Sequence, residues 1–181
     1  MTHHSDEELI QRFHDSENPG LAFDLIVRKY QEQVYWHIRR LVISHEDAND
    51  IAQDVFIKAW KALPDFRGDS GLFTWLYRIA TNEALSFLKK KNKRFFLSFS
   101  DVEQQLSDSL ITDTYFEGNE IEKKIQQAIL TLPEKQRVVF NLRYYDEMKY
   151  EEMSKILDTS EGALKASYHH AAKKIEKILT S

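Results

Sequence analysis

Near the C-terminus, Lys165, Ala166, His169, His170 and Lys173 share one side of a helix in which each residue advances by about 100°. Leu164, Tyr168, Ala171, Ile175 and Ile178 fall on the other side. The chemistry open to the first face is bonding to base edges and phosphates. Short or polar side chains at the front of a helix let its backbone enter a major groove. The preceding stretch is short and amphipathic on Met153, Ile156 and Leu157, and Asp158-Thr159-Ser160 makes a tight turn between the two. That order is a helix-turn-helix. Ser160, with the free amides behind it, can also meet a phosphate at the helix start.

Other chemistries find no footing. The chain has no cysteine, which removes disulfides, thiolate metal sites and cysteine nucleophiles. His169 and His170 are neighbours, so their rings diverge and cannot chelate as an i, i+4 pair can. Gly68-Asp69-Ser70-Gly71 is too short for a phosphate loop and has no lysine at its end. We expect no catalytic residue, metal or cofactor, and no enzyme activity.

The positioning elements are helical. Of 181 residues, 5 are glycine and 3 are proline, too few to turn many short strands. Ser5 or Asp6 caps a first helix on Leu9, Ile10 and Phe13, and Asn18-Pro19-Gly20 breaks it. A long stripe follows from Leu21 to about Val42 through Phe23, Ile26, Tyr30, Val34, Ile38 and Leu41. Ser44 opens a third helix that Pro64 ends, and Thr74 to about Lys91 forms a fourth. Further helices are expected at 119–131, from Pro133 to Tyr145, at 150–157 and from Glu161 to Leu179. The expected fold is all-α, with two small helical domains (1–94 and 119–181) joined by an acidic linker at 95–118 whose apolar residues show no clear period.

A net charge of −4 looks unsuited to binding nucleic acid, but the charge is segregated. Residues 74–94 carry Arg78, Lys89, Lys90, Lys91, Lys93 and Arg94 against Glu83 alone, while 95–122 carry seven acids and no Lys or Arg. The N-terminus is polar and acidic, and no apolar run approaches the roughly 18 residues of a spanning helix. A cytoplasmic protein without membrane insertion is expected.

The segment DANDIAQDVFIKAWKALPDFRGDSGLFTWLYRIATNEALSFLKKKNKR closely resembles region 2 of the sigma-70 family, in its extracytoplasmic-function (ECF) group. FRGDS followed by TWLYRIA and Asn82 is the most specific part. LPEKQRVVFNLRYYDEMKYEEMSKILDTSEGALK is similar to region 4 of that group, so the resemblance spans most of the chain in the right order. It implies a bacterial sigma factor that binds core RNA polymerase, directs it to promoter DNA and assists melting, with an anti-sigma factor as a further partner. It places Asp50, Gln53, Asp54 and Lys58 at the polymerase, while the helical spacing of Phe56, Ala59 and Trp60 assigns them mainly to core packing. It gives Asp65, Arg67, Gly68, Asp69 and Ser70 to a loop that captures a flipped base of the minus-ten element, Gly68 and Gly71 permitting unusual backbone angles. Arg78, Asn82, Lys89, Lys90 and Lys91 would line the strand nearby, and Tyr77 would either stack on a base or pack half-buried.

The minus-thirty-five element would fall to the helix after Ser160, through Ser160, Lys165, Ala166, Ser167, His169, His170 and Lys173. Many relatives carry arginines where Ser167, His170 and Ala172 stand, so fewer permanent charges meet the phosphates here. The residues alone also admit a stand-alone helix-turn-helix regulator of transcription. That alternative leaves the FRGDS loop and the polar side of 47–60 without a task.

Overall fold

The computed structural model describes residues 4–95, 98–112 and 120–181, and every regular element among them is helical. The N-terminal group contains α1 (Asp6–Asp15), α2 (Pro19–Val42), α3 (His45–Ala62) and α4 (Leu72–Phe95), with a single 3-10 turn (Leu63–Asp65) after α3. Local chemistry sets the starts. Ser5 accepts from the Glu8 amide while Glu8 reaches back to the Ser5 amide, a reciprocal cap. Ser44 Oγ accepts from the Asp47 amide at 3.2 Å. Pro19 opens α2 instead of merely breaking the chain, since its fixed φ and missing N–H suit a first turn.

The stripes seen in the sequence meet as one core. Val34 and Ile38 of α2, Val55 and Ala59 of α3, and Leu76, Ala80 and Ala84 of α4 are all fully buried. Fully burying each large aliphatic side chain contributes about 1.5–3 kcal/mol. α1 is fastened to α2 at Asp6, whose Oδ1 takes bonds from Lys29 Nζ and Tyr30 Oη, each at 2.6 Å.

The C-terminal group comprises α6 (Glu120–Leu130), α7 (Glu134–Tyr144), α8 (Tyr150–Leu157) and α9 (Glu161–Thr180). Ala128, Ile129, Phe140, Ala171 and Ile175 form its own core. Ile178, expected inside, is 40% exposed, in the last turn of α9. α8 lies between α4 and α9, so Met153, Ile156 and Leu164 join the N-terminal core.

The acidic segment is more ordered than its pattern suggests. α5 (Phe99–Thr112) occupies most of it, started by Ser98 and Asp101, whose side chains each bond the other's backbone amide. Leu106 and Leu110 are buried against Ile43 and Leu130, so α5 ties the end of α2 to the end of α6. Ile43 has φ of 65° and ψ of −40°, a sparsely populated backbone conformation that costs about 1–3 kcal/mol. Its side chain is wholly buried in that small cluster, which holds it there. Asp113 and Glu117 of the acidic segment, and Asn119, the expected start of the next helix, lie outside the described residues.

Candidate nucleic-acid interface

Three surfaces carry the expected site residues. The first is the loop between α3 and α4. Asp65, Arg67, Gly68 and Asp69 are exposed and Ser70 is half-buried. Phe66 anchors the loop by packing on Trp75, ring centres 5.1 Å apart. Gly68 has φ of 75°, which excludes most side chains, whereas Gly71 adopts no such angle and instead accepts the Trp75 amide. The donors and acceptors of Arg67, Asp69 and Ser70 are therefore presented on a bend whose base is fixed. This is a shape able to bond an extruded base edge.

Along α4, Arg78, Asn82, Lys89 and Lys90 are exposed, and Lys91 is held at 3.4 Å from Asp47. Tyr77 departs from its expected place. It is buried, and its hydroxyl lies 3.2 Å from both the Gln33 carbonyl and Asp146. Burial pushes its pKa well above the usual tyrosine value, with the Asp146 charge adding to the effect. In this arrangement its ring packs on His37 and Phe73, leaving no face for a base.

The second surface is α9. Lys165, Ala166, His169, His170 and Lys173 are exposed, while Leu164, Ala171 and Ile175 are buried and Tyr168 is half-buried, so the two-sided pattern holds. Ser160 Oγ caps α9 by accepting from the Ala163 amide at 3.3 Å, and Asp158 makes the turn at φ of 53°. Lys165 Nζ sits 5.7 Å from the centre of the Tyr150 ring, and Ser167 is half-buried toward α8.

The third surface is on α3. Asp50, Gln53, Asp54 and Lys58 are exposed, and Lys58 pairs with Glu83 of α4. Only Gln53 borders the adjoining groove, a 610 Å3 depression walled by Val27, Tyr35, Ala52, Phe56 and Ile57. Those apolar walls were not singled out in the sequence, although Ile57 off the buried stripe was a signal. Trp60, expected mainly in the core, is 40% exposed with its inner edge on Phe13 and Phe23.

Among the described residues no cluster of three or more His, Asp or Glu is placed to hold a metal, and no helix is long and apolar enough to cross a membrane.

A loop presented beside a basic helix, together with two helices joined by a tight turn at Asp158–Ser160, defines a class that comparison with known proteins makes specific. Residues 26–94 match the model of sigma-70 region 2, and residues 122–175 match that of sigma-70 region 4. The chain is 33% identical to the RNA polymerase sigma-H factor of Pseudomonas aeruginosa, over 99% of this chain and 96% of that one. It is also 33% identical to the ECF RNA polymerase sigma-E factor of Escherichia coli K12, over 95% and 93%. The fold resembles a Bartonella quintana sigma factor solved with the anti-sigma factor NepR (TM-score 0.68, 22% identity, covering 87% of this chain and 96% of that one). The chain belongs to the sigma-70 family, in its ECF group.

Proposed function

We propose that this chain is a promoter-specificity subunit of bacterial RNA polymerase: it binds the core enzyme, directs it to a two-part promoter and helps separate the strands. Both family regions lie in order along one chain related over nearly its whole length to sigma factors, and that observation carries the proposal. It acts in the cytoplasm by binding alone, without a catalytic step of its own.

The tasks divide by element. The groove beside Gln53, with Asp50, Asp54 and Lys58 around it, receives polymerase, because an apolar trough rimmed by polar groups suits a partner helix. Asp65 to Ser70 take a flipped base while Arg78, Asn82 and Lys89 to Lys91 track the strand. Lys165, Ala166, Ser167, His169, His170 and Lys173 read the upstream duplex, with Ser160 starting their helix. We divide the chain accordingly into 1–94, a linker at 95–118 that contains α5, and 119–181. An anti-sigma factor is the restraining partner, covering the polymerase-binding surface.

The exposed α9 face is what a stand-alone regulator would share, but such a regulator would use its N-terminal module to dimerise or sense a signal and not to bind polymerase. Titrating labelled protein with purified core polymerase separates the two. Saturable binding at nanomolar to micromolar concentration is expected, and its absence at any concentration returns the protein to the regulator class.

A further inference from the structure

Tyr35 of α2 and Asn49 of α3 both line the groove that Gln53 borders, and His45, the first residue of α3, ties them together. Its Nδ1 lies 2.7 Å from Tyr35 Oη and its Nε2 lies 3.1 Å from Asn49 Nδ2. The Tyr35 and His45 rings also meet edge to face, with centres 5.8 Å apart. One imidazole thus joins the two helices that form the groove.

The direction of each bond follows from the atoms involved. An amide nitrogen donates and does not accept, so Nε2 accepts from Asn49 and the ring proton sits on Nδ1. That proton is donated to Tyr35 Oη. The phenol oxygen is therefore an acceptor within the protein, and its own hydrogen has no acceptor among the described residues. Tyr35 is half-buried in the groove lining, so an uncommitted O–H is offered to whatever lies in the groove.

The rest of the lining sets the chemistry of the acceptor. Val27, Phe56 and Ile57 supply apolar wall, and Glu32 is the charged residue among the groove's lining side chains. A carboxylate approaching Tyr35 would meet that like charge, so a neutral oxygen suits the donor better: a side-chain amide or hydroxyl, or a free carbonyl in a helix's last turn. A partner without such an oxygen would bury the O–H unsatisfied, which costs more than the bond itself contributes. The donor therefore selects as well as binds.

We propose that Tyr35 is a specificity-determining residue for polymerase docking: its hydroxyl donates to a neutral oxygen on the helix that core polymerase lays in the groove. His45 is the positioning residue that turns the hydroxyl outward, and Asn49 fixes the ring proton that does so. The proposal rests on the sigma reading of the groove, both of whose helices fall within the stretch matching region 2.

The test is a titration of the labelled full chain with purified core polymerase, each variant first checked for unchanged helical circular dichroism. Tyr35→Phe, which removes one oxygen and keeps the ring, should weaken core binding about fivefold or more. His45→Phe should weaken it similarly, and the double variant should lose no more than either, since both act through one donor. His45→Asn places an amide nitrogen where Nδ1 stands and should stay within about twofold of the unmutated chain. That rescue separates a bond from mere packing.

Unchanged affinity in Tyr35→Phe overturns the proposal while leaving the sigma reading intact. A loss in His45→Asn as large as in His45→Phe overturns the positioning role. Should His45→Phe fail to fold, Tyr35→Phe and His45→Asn still decide the matter. An unmutated chain that does not bind core at all defeats the sigma reading, and the docking role of Tyr35 with it.

Discussion

The guanidinium of Arg78 on α4 stands 3.9 Å from the carboxylate of Asp158, the left-handed residue in the turn before α9. Both side chains are more than half exposed, so salt screens the pair and it adds little to stability. Its meaning is positional. On the proposed reading, an acid from the turn before α9 stands beside Arg78 where a strand phosphate would otherwise lie. The buried contacts around Tyr77 and Asp146 set that approach, and the surface pair follows from it.

Lys165→Ala should reduce the salt dependence of binding to an upstream-element duplex. One lost phosphate contact lowers the slope of log affinity on log salt by about 0.9. Lys177→Ala, in the last turn of the same helix, should leave it unchanged. Equal slopes for Lys165→Ala and the unmutated chain would place Lys165 off the DNA.

Replacing Asp69 and Ser70 together by alanine should change which downstream-element sequences are opened while core affinity stays constant. Both residues sit on the bend held by Phe66 and Trp75 and are not needed for that packing. A loss of core binding instead would make the loop part of the polymerase interface.

Ile57→Asp should weaken core binding at least tenfold, about 1.4 kcal/mol, because it puts a charge on the wall of the α3 groove. Ile57 is 52% exposed, so folding stability should change by no more than about 0.5 kcal/mol. Equal affinity for core in parallel titrations would remove the groove from the docking surface.

Burial, reinforced by the nearby Arg40 charge, lowers the His37 pKa to about 3 from 6.5 in the unfolded chain. Unfolding therefore takes up a proton, so this contribution is full above pH 6.5 and declines as pH falls toward 3. Asp146 acts oppositely. Burial raises its pKa above 3.8, so its contribution is present below 3.8 and is lost as pH rises through the folded value. Between pH 6.5 and 5 the histidine should lower thermal stability, by at most about 1.4 kcal/mol per pH unit. His37→Gln should flatten that decline, and an equally steep one would mean that His37 is not the group responsible.

Helix starts were legible because single residues cause them: Ser5, Ser44 and Ser160 all cap as their types suggest. The α9 face was legible because Leu164, Ala171 and Ile175 repeat at helical spacing. α5 was missed for want of a stripe: among its described side chains Leu106 and Leu110 are the ones that bury, although Ser98 and Asp101 carried a cap signature. Tyr77 stayed open in the sequence between stacking on a base and packing half-buried, because its neighbours His37 and Asp146 are distant in the chain and no local pattern encodes those contacts. The apolar groove on α3 likewise needs α2 beside it before Val27 and Tyr35 become its wall.

The central claim is most directly tested by run-off transcription with purified core polymerase on fragments of the host genome. Adding this protein should start transcripts at a small set of defined positions that share two upstream sequence elements, with none from core alone. Transcripts no different from those of core alone, in a preparation that remains folded, would contradict it.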